Sequence, residues 1–182
     1  MFKKFVPKDD VSGKSKVKSS VQRGIRAKIL EQYPALNPYI EELIPKKDPL
    51  VLVKCHDRLN VVMVNDQLLF FNHHDGPYYP TLQLLHKYPD IMPKVQVDRG
   101  AIKFVLSGAN IMCPGLTSKG ARLDTDLPVD TPVAVLAEGK EHALALGELK
   151  MSTSDIKSIN KGVGVELVHF INDGLWHAKI EA

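Results

Sequence analysis

The chain is 182 residues long, 44% hydrophobic and 25% charged, with a formal net charge of +3. This is an ordinary globular balance, long enough for one large or two small domains with a real hydrophobic core. It excludes a membrane-spanning helix, because no apolar run is long enough, and a disulfide framework, because Cys55 and Cys113 are the only cysteines and lie far apart.

In chain order, residues 1–15 read as irregular, yet Phe2 and Phe5 imply that this end docks onto the protein, since two aromatic rings are costly to leave in water. The lysine-rich start lacks the apolar stretch of a secretory signal, and with the sparse cysteines this gives the expectation of a cytoplasmic protein. Val17, Val21, Ile25 and Ile29 recur every fourth residue and predict a helix from about Ser15 to Tyr33. Ser19-Ser20-Val21-Gln22 resembles a capping box and offers a later start. Lys18, Arg23, Arg26 and Lys28 surround the apolar stripe, and Tyr33-Pro34 ends it. Asn37-Pro38 predicts a second short helix, stopping at Ile44-Pro45.

The period then changes. Leu50 to Cys55, Leu59 to Val64 and Gln67 to Phe71 are short runs rich in Val, Leu and Phe, separated by the turn signals Asp57-Arg58 and Asn65-Asp66. They predict an antiparallel meander. A loop from Asn72 to Pro80 follows, then a short helix capped by Thr81 and broken at Tyr88-Pro89. A domain boundary is expected at Met92-Pro93, giving units 1–92 and 93–182.

The stretch from Val95 to Gly115 reads as strand, helix capped by Asp98, glycine turn at Gly108, strand, and glycine turn at Gly115. On a helical wheel Ala101, Ile102, Phe104, Val105 and Leu106 share one broad side, and Arg99, Lys103 and Ser107 the other. This predicts a buried helix that shows solvent a narrow basic stripe and runs into the nearly bare loop Gly108-Ala109-Asn110. Two readings of that loop remain open from spacing. Either the glycines only end a helix and make a turn, or free turn amides form a concave donor surface for a phosphate–sugar backbone. A loop from Thr117 to Thr131 comes next, then strands near Val133–Ala137 and Ala143–Leu149, a helix opened by Ser152 or Ser154, and strands near Val163–Ile171 and Leu175–Lys179. The whole reads as α+β, with a closed or nearly closed barrel at the C-terminal end.

The modest net charge hides an uneven distribution. Residues 1–30 hold nine Lys/Arg against two Asp, residues 94–122 hold five against Asp98 alone, and residues 123–182 hold five against ten carboxylates. The two basic segments are either solvated faces or a polyanion footprint, in which Lys and Arg displace condensed counterions. No nucleophile elbow, phosphate loop or dinucleotide fingerprint is present. Cys55, His56, His73 and His74 do not make a metal site, because neighbours in a strand point to opposite faces and no CxxC or HxxxH spacing occurs. Cys113 reads as a packed thiol. Tyr88 and Trp176 could stack on bases, with the core the stronger reading for Trp176. No catalytic residue and no cofactor are expected.

The Val95–Gly115 segment, with Val129-Asp130-Thr131-Pro132-Val133-Ala134-Val135, Ala145-Leu146-Gly147-Glu148-Leu149, Met151-Ser152 and His169-Phe170-Ile171-Asn172-Asp173-Gly174-Leu175-Trp176, resembles the PUA domain, a small RNA-binding pseudo-barrel. Met1-Phe2-Lys3-Lys4-Phe5, Ile44-Pro45-Lys46-Lys47-Asp48-Pro49, Tyr79-Pro80-Thr81-Leu82 and Leu85-His86-Lys87-Tyr88-Pro89 extend the resemblance to essentially the whole chain. Together they resemble the malignant-T-cell-amplified-sequence proteins, called translation-machinery-associated protein in yeasts. The resemblance implies an N-terminal α/β pre-PUA domain containing the meander, then a C-terminal PUA pseudo-β-barrel. It implies a non-catalytic translation factor that acts on the small ribosomal subunit in a heterodimer with density-regulated protein. The implied roles are recycling by release of deacylated tRNA and mRNA, reinitiation and unconventional initiation. The implied contacts are ribosomal RNA and the tRNA acceptor end. On this reading Arg99, Lys103 and Lys119 meet phosphates. Gly100, Gly108, Ala109 and Asn110 permit close approach, and Met112, Pro114 and Gly115 shape the floor. Lys18, Arg23, Arg26 and Lys28 form a ribosome-contacting helix face; the partner-binding surface is not legible. The alternative is an RNA-binding accessory subunit of an RNA-modifying enzyme.

Overall fold

A computed structural model describes residues 1–182. Its N-terminal half is built on a five-stranded, wholly antiparallel sheet in the order β1-β2-β3-β4-β5. The strands are β1 (Val11–Lys16), β2 (Leu50–Cys55), β3 (Leu59–Val64), β4 (Gln67–His73) and β5 (Tyr79–Pro80). The meander stands where its sequence pattern puts it, with β4 reaching two residues further, to His73. Asn65 and Asp66 both take positive φ, 50° and 61°, which is the two-residue turn whose twist matches the flanking strands.

The first thirty residues differ from expectation. Instead of an irregular terminus there is a one-turn helix, α1 (Pro7–Asp10), followed by β1, which pairs with β2 at the sheet edge. The strand is polar and largely exposed, so it carries no hydrophobic alternation that a sequence could display. Helix α2 therefore starts late, at Ser19, and runs to Gln32. Lys18 occupies its N-cap without a side-chain bond, so the capping box is not made. The buried face is Gln22, Ile25 and Ile29, while Val21 is 45% exposed. Gln22 is tolerated in the core because its Nε2 donates to the carbonyls of Pro45 (3.2 Å) and Asp48 (3.0 Å). The second short helix begins earlier than expected, as a 3-10 turn from Pro34 to Tyr39 that passes into α3 (Ile40–Leu43). Thr81 caps α4 (Leu82–Lys87), its hydroxyl accepting from the Leu84 amide at 3.4 Å.

The C-terminal half holds a second sheet, order β6-β8-β9-β10-β7. Its elements are β6 (Lys94–Val97), α5 (Ile102–Val105), β7 (Ile111–Met112), α6 (Pro114–Thr117), β8 (Pro132–Ala137), β9 (Ala145–Leu149), α7 (Thr153–Ile159), β10 (Val163–Phe170) and α8 (Gly174–His177). β6 pairs parallel with β8, the other pairs are antiparallel, and the end strands β6 and β7 are joined through α5. The result is a curled half-barrel. Ser152 caps α7, accepting from the Asp155 amide at 3.1 Å. The strand expected over Leu175–Lys179 is instead α8, because the Asp173 carboxylate accepts from the Trp176 amide at 2.9 Å and opens a helical turn.

The core of the N-terminal sheet continues past residue 92: Ala134, Ala143, Leu146, Val168, Leu175 and Ile180 pack into one cluster with Phe2, Phe5 and the meander. Phe2 is completely buried, edge-on to Phe71 at 4.8 Å and to His169 at 5.7 Å. The Gly174 amide donates to the Phe2 carbonyl at 2.8 Å, and a Cβ on Gly174 would fall 2.1 Å from the Phe5 carbonyl oxygen. Gly174→Ala is therefore expected to lower stability by about 1–3 kcal/mol, the usual range for overpacking, read as a shifted urea midpoint at unchanged m. An unchanged midpoint would show that the terminus is not clamped there.

Candidate nucleic-acid interface

The Val95–Gly115 segment makes the caps predicted for it but not the buried helix. Asp98 accepts from the Ala101 amide at 2.9 Å, and Gly108 ends the segment at φ 86°. Between them lie a 3-10 turn (Arg99–Ala101) and the single α turn of α5. A wheel drawn at 3.6 residues per turn does not describe such a join, so the apolar residues divide differently. Val105 alone is buried, Ala101 and Ile102 are half-buried, and Phe104 and Leu106 are exposed. Phe104, at 56% exposure, and Met112, at 49%, are among the large apolar side chains left in solvent.

Both line a cavity of about 660 Å³, together with Gly100, Ala109, Pro114, Gly115, Asp98 and Ser118. The lining is predominantly apolar. Ser118 Oγ donates to Asp98 Oδ2, which ties the end of α6 to the cap of the 3-10 turn that precedes α5. Gly115 is not a turn glycine: it sits inside α6, where a Cβ would make only ordinary contacts at 3.7 Å. Asn110 lines the cup, and its Oδ1 accepts from the Leu167 amide at 3.0 Å, so it also fixes β7 against β10.

The bare-backbone reading of Gly108-Ala109-Asn110 is corrected. The Gly108 amide donates to the Val105 carbonyl at 3.0 Å and the Ala109 amide to the Phe104 carbonyl at 3.1 Å, so both serve as helix-ending bonds. Gly108 is turned inward as well, since a Cβ there would lie 3.0 Å from the Phe170 ring. What faces solvent is a hydrophobic cup, not a nest of amides. Sequence reasoning assigned Phe104 to the core; its only signal was a place beside Lys103.

None of the expected cations lines the cup, and only Lys103 is placed against one of its walls. Lys103 Nζ lies 5.1 Å from the Phe104 ring centroid, a cation–π distance that places charge and aromatic face together. Lys119 is exposed and outside every ion pair. Arg99 runs the other way: a Cβ on Gly139 would meet its guanidinium at 2.7 Å, so it lies against the β8–β9 connection. On α2, Lys18, Arg23 and Lys28 are exposed, but Arg26 is paired with Glu41 and its side chain is only 16% exposed, which removes it from the free basic face. The Lys46 amide and then Arg26 hold the Glu41 carboxyl below its usual range. Tyr88 donates to Glu42 (3.3 Å) and Trp176 packs on His86 (5.7 Å), both away from the cup. Cys113 is fully buried 3.5 Å from Met151 Sδ, and burial pushes its thiol up.

A Pre-PUA-like domain family matches residues 5–89 and the PUA domain family residues 93–171. Malignant T-cell-amplified sequence 2 of Mus musculus is 58% identical over 179 residues, 98% of each chain. The chain belongs to the malignant T-cell-amplified sequence family. A homologue in Dictyostelium discoideum is 56% identical over 176 residues, 97% of each chain. Membership carries the family's general character, that of an RNA-binding, translation-related protein. In fold alone, the chain is similar to a hypothetical protein from Pyrococcus horikoshii OT3 (TM-score 0.72, 23% identity, 92% of this chain and all of that one). It is likewise similar to a PUA-domain protein of Aeropyrum pernix K1 solved with tartrate (TM-score 0.67, 23% identity, 90% and 89%). No helix is long and apolar enough to cross a membrane.

Proposed function

We propose that this member of the family is a non-catalytic translation factor that works in the cytoplasm on the small ribosomal subunit, as a heterodimer with density-regulated protein. Its tasks are recycling, by release of deacylated tRNA and mRNA, together with reinitiation and unconventional initiation. The cup takes an unpaired RNA end, that of the tRNA acceptor strand, while Lys18, Arg23 and Lys28 turn toward ribosomal RNA. One observation carries this reading: an apolar cavity of about 660 Å³ with an exposed aromatic wall and an ammonium group over that wall. Single-stranded ends suit such a site, because their bases are free to leave a stack and enter an apolar wall, with phosphates left to the rim cations. A duplex has no free base to offer it.

The test is sedimentation of tagged protein with small subunits across a salt series, identifying the chains that travel with it. Density-regulated protein should co-purify, and Lys103→Ala should weaken subunit binding and reduce the log–log salt slope by about 0.7, the share of one single-strand phosphate contact. Unchanged co-sedimentation after both Lys103→Glu and Lys119→Glu would show that these cations only solubilise the domain.

A further inference from the structure

A second cleft opens where the two halves meet. Its volume is about 580 Å³, and its walls include Lys3, Lys8, His177 and Lys179, all exposed. None of the four takes part in an ion pair. The one carboxylate in the lining, Asp173, is 2% exposed. Both of its oxygens are engaged, Oδ2 by His169 Nδ1 (2.7 Å) and the Phe170 amide (2.9 Å), Oδ1 by the Trp176 amide (2.9 Å). Nearby Asp10 is turned to the Val6 amide at 2.7 Å. Among the residues that line the cleft, the cations and donors thus have no free carboxylate beside them, the arrangement that favours a polyanion; the exposed Asp9 and Glu181 lie outside the lining.

Its position relates it to the cup. Lys3 Cδ lies 3.5 Å from where a Cβ on Gly108 would stand, and Ala109, the next residue, is already a wall of the cup. Lys3 therefore belongs to the cleft and touches the loop that borders the cup. Lys3 is thus the point at which the N-terminal segment meets the loop that leads into the cup. That segment is held in place by the buried Phe2 and by the close fit over Gly174.

We propose that the cleft of Lys3, Lys8, His177 and Lys179 carries the sugar–phosphate backbone of the same RNA strand whose end occupies the cup. This rests on the reading of the cup as an RNA-end site. The strand then gains the cleft's phosphate contacts, beyond those at the rim of the cup, only when it is long enough to pass Gly108, so affinity depends on length. The device is stacking at one end and counterion release along the track.

The experiment compares the full chain with its Lys8→Glu/Lys179→Glu and Ala109→Leu variants, using two single-stranded RNAs with free 3′ ends, one of about four nucleotides and one of about twelve, the lower end and the upper part of the range of single-strand site sizes. The Lys8→Glu/Lys179→Glu variant should bind the longer RNA about ten-fold more weakly, with a salt slope lower by about 1.4 for two lost phosphate contacts, and should bind the short RNA unchanged. Equal effects on both lengths, or none on either, would overturn the track. Polyglutamate competing as well as unlabelled RNA would assign the cleft to an acidic protein instead. Ala109→Leu should weaken both probes; if it weakens neither, the cup reading fails, whatever the cleft variant does.

Discussion

Phe104→Ala should weaken binding of single-stranded RNA by about 1–3 kcal/mol, roughly a five- to 150-fold rise in Kd, while leaving the unfolding midpoint where it was. The separation follows from exposure. A core phenylalanine lost to alanine costs about 3–5 kcal/mol of stability. At 56% exposure Phe104 contributes little to the core, and the ring is available to a ligand base. Phe104→Trp should retain or strengthen binding, because the larger face still stacks and still lies under the Lys103 ammonium. Titration of a labelled oligonucleotide alongside thermal unfolding measures both quantities. If the alanine variant binds as before but melts early, Phe104 is a packing residue and the cup is not the RNA site.

Asp173→Ala should have the largest effect on stability. One carboxylate with 2% exposure caps α8, accepts from the Phe170 amide and pairs with His169 at 2.7 Å. His169 Nε2 in turn accepts from the Leu82 amide at 3.2 Å, so the ring donates through Nδ1 and links α4 to β10. Removing the carboxylate leaves a buried ring nitrogen and two amides without partners. A loss of about 3–5 kcal/mol is expected, which for a chain of this length lowers Tm by about 6–20 °C. Asp173→Asn should retain part of it, because its oxygen can still accept from one or more of these groups. Calorimetry of both variants decides; an alanine variant that melts within about 2 °C of the parent would show that water satisfies these groups.

Local rules located most of the elements. The meander, the caps at Asp98, Thr81 and Ser152, and the end of the segment at Gly108 all follow from short-range sterics and hydrogen bonding, which act over three or four residues and are written in those residues. The errors cluster where partners distant in sequence decide. β1 is a strand because β2 offers an edge, not because its polar residues alternate. Arg26 looks like one of four equivalent cations until the chain returns with Glu41. Gly108 looks bare until Phe170, sixty-two residues on, packs against it.

The sequence by itself determined the family, the two-part order of the chain, the basic segments and the stretch of chain that forms the apolar cup. Those are recorded in residue identity and short spacing. Tertiary structure alone decided the character of the site. Whether Phe104 faces core or solvent depends on the join between a 3-10 turn and one α turn, and on which distant strands already fill the barrel. A one-dimensional pattern fixes where an apolar side chain is attached; only the packed neighbours fix which side of it is left for water and for a ligand.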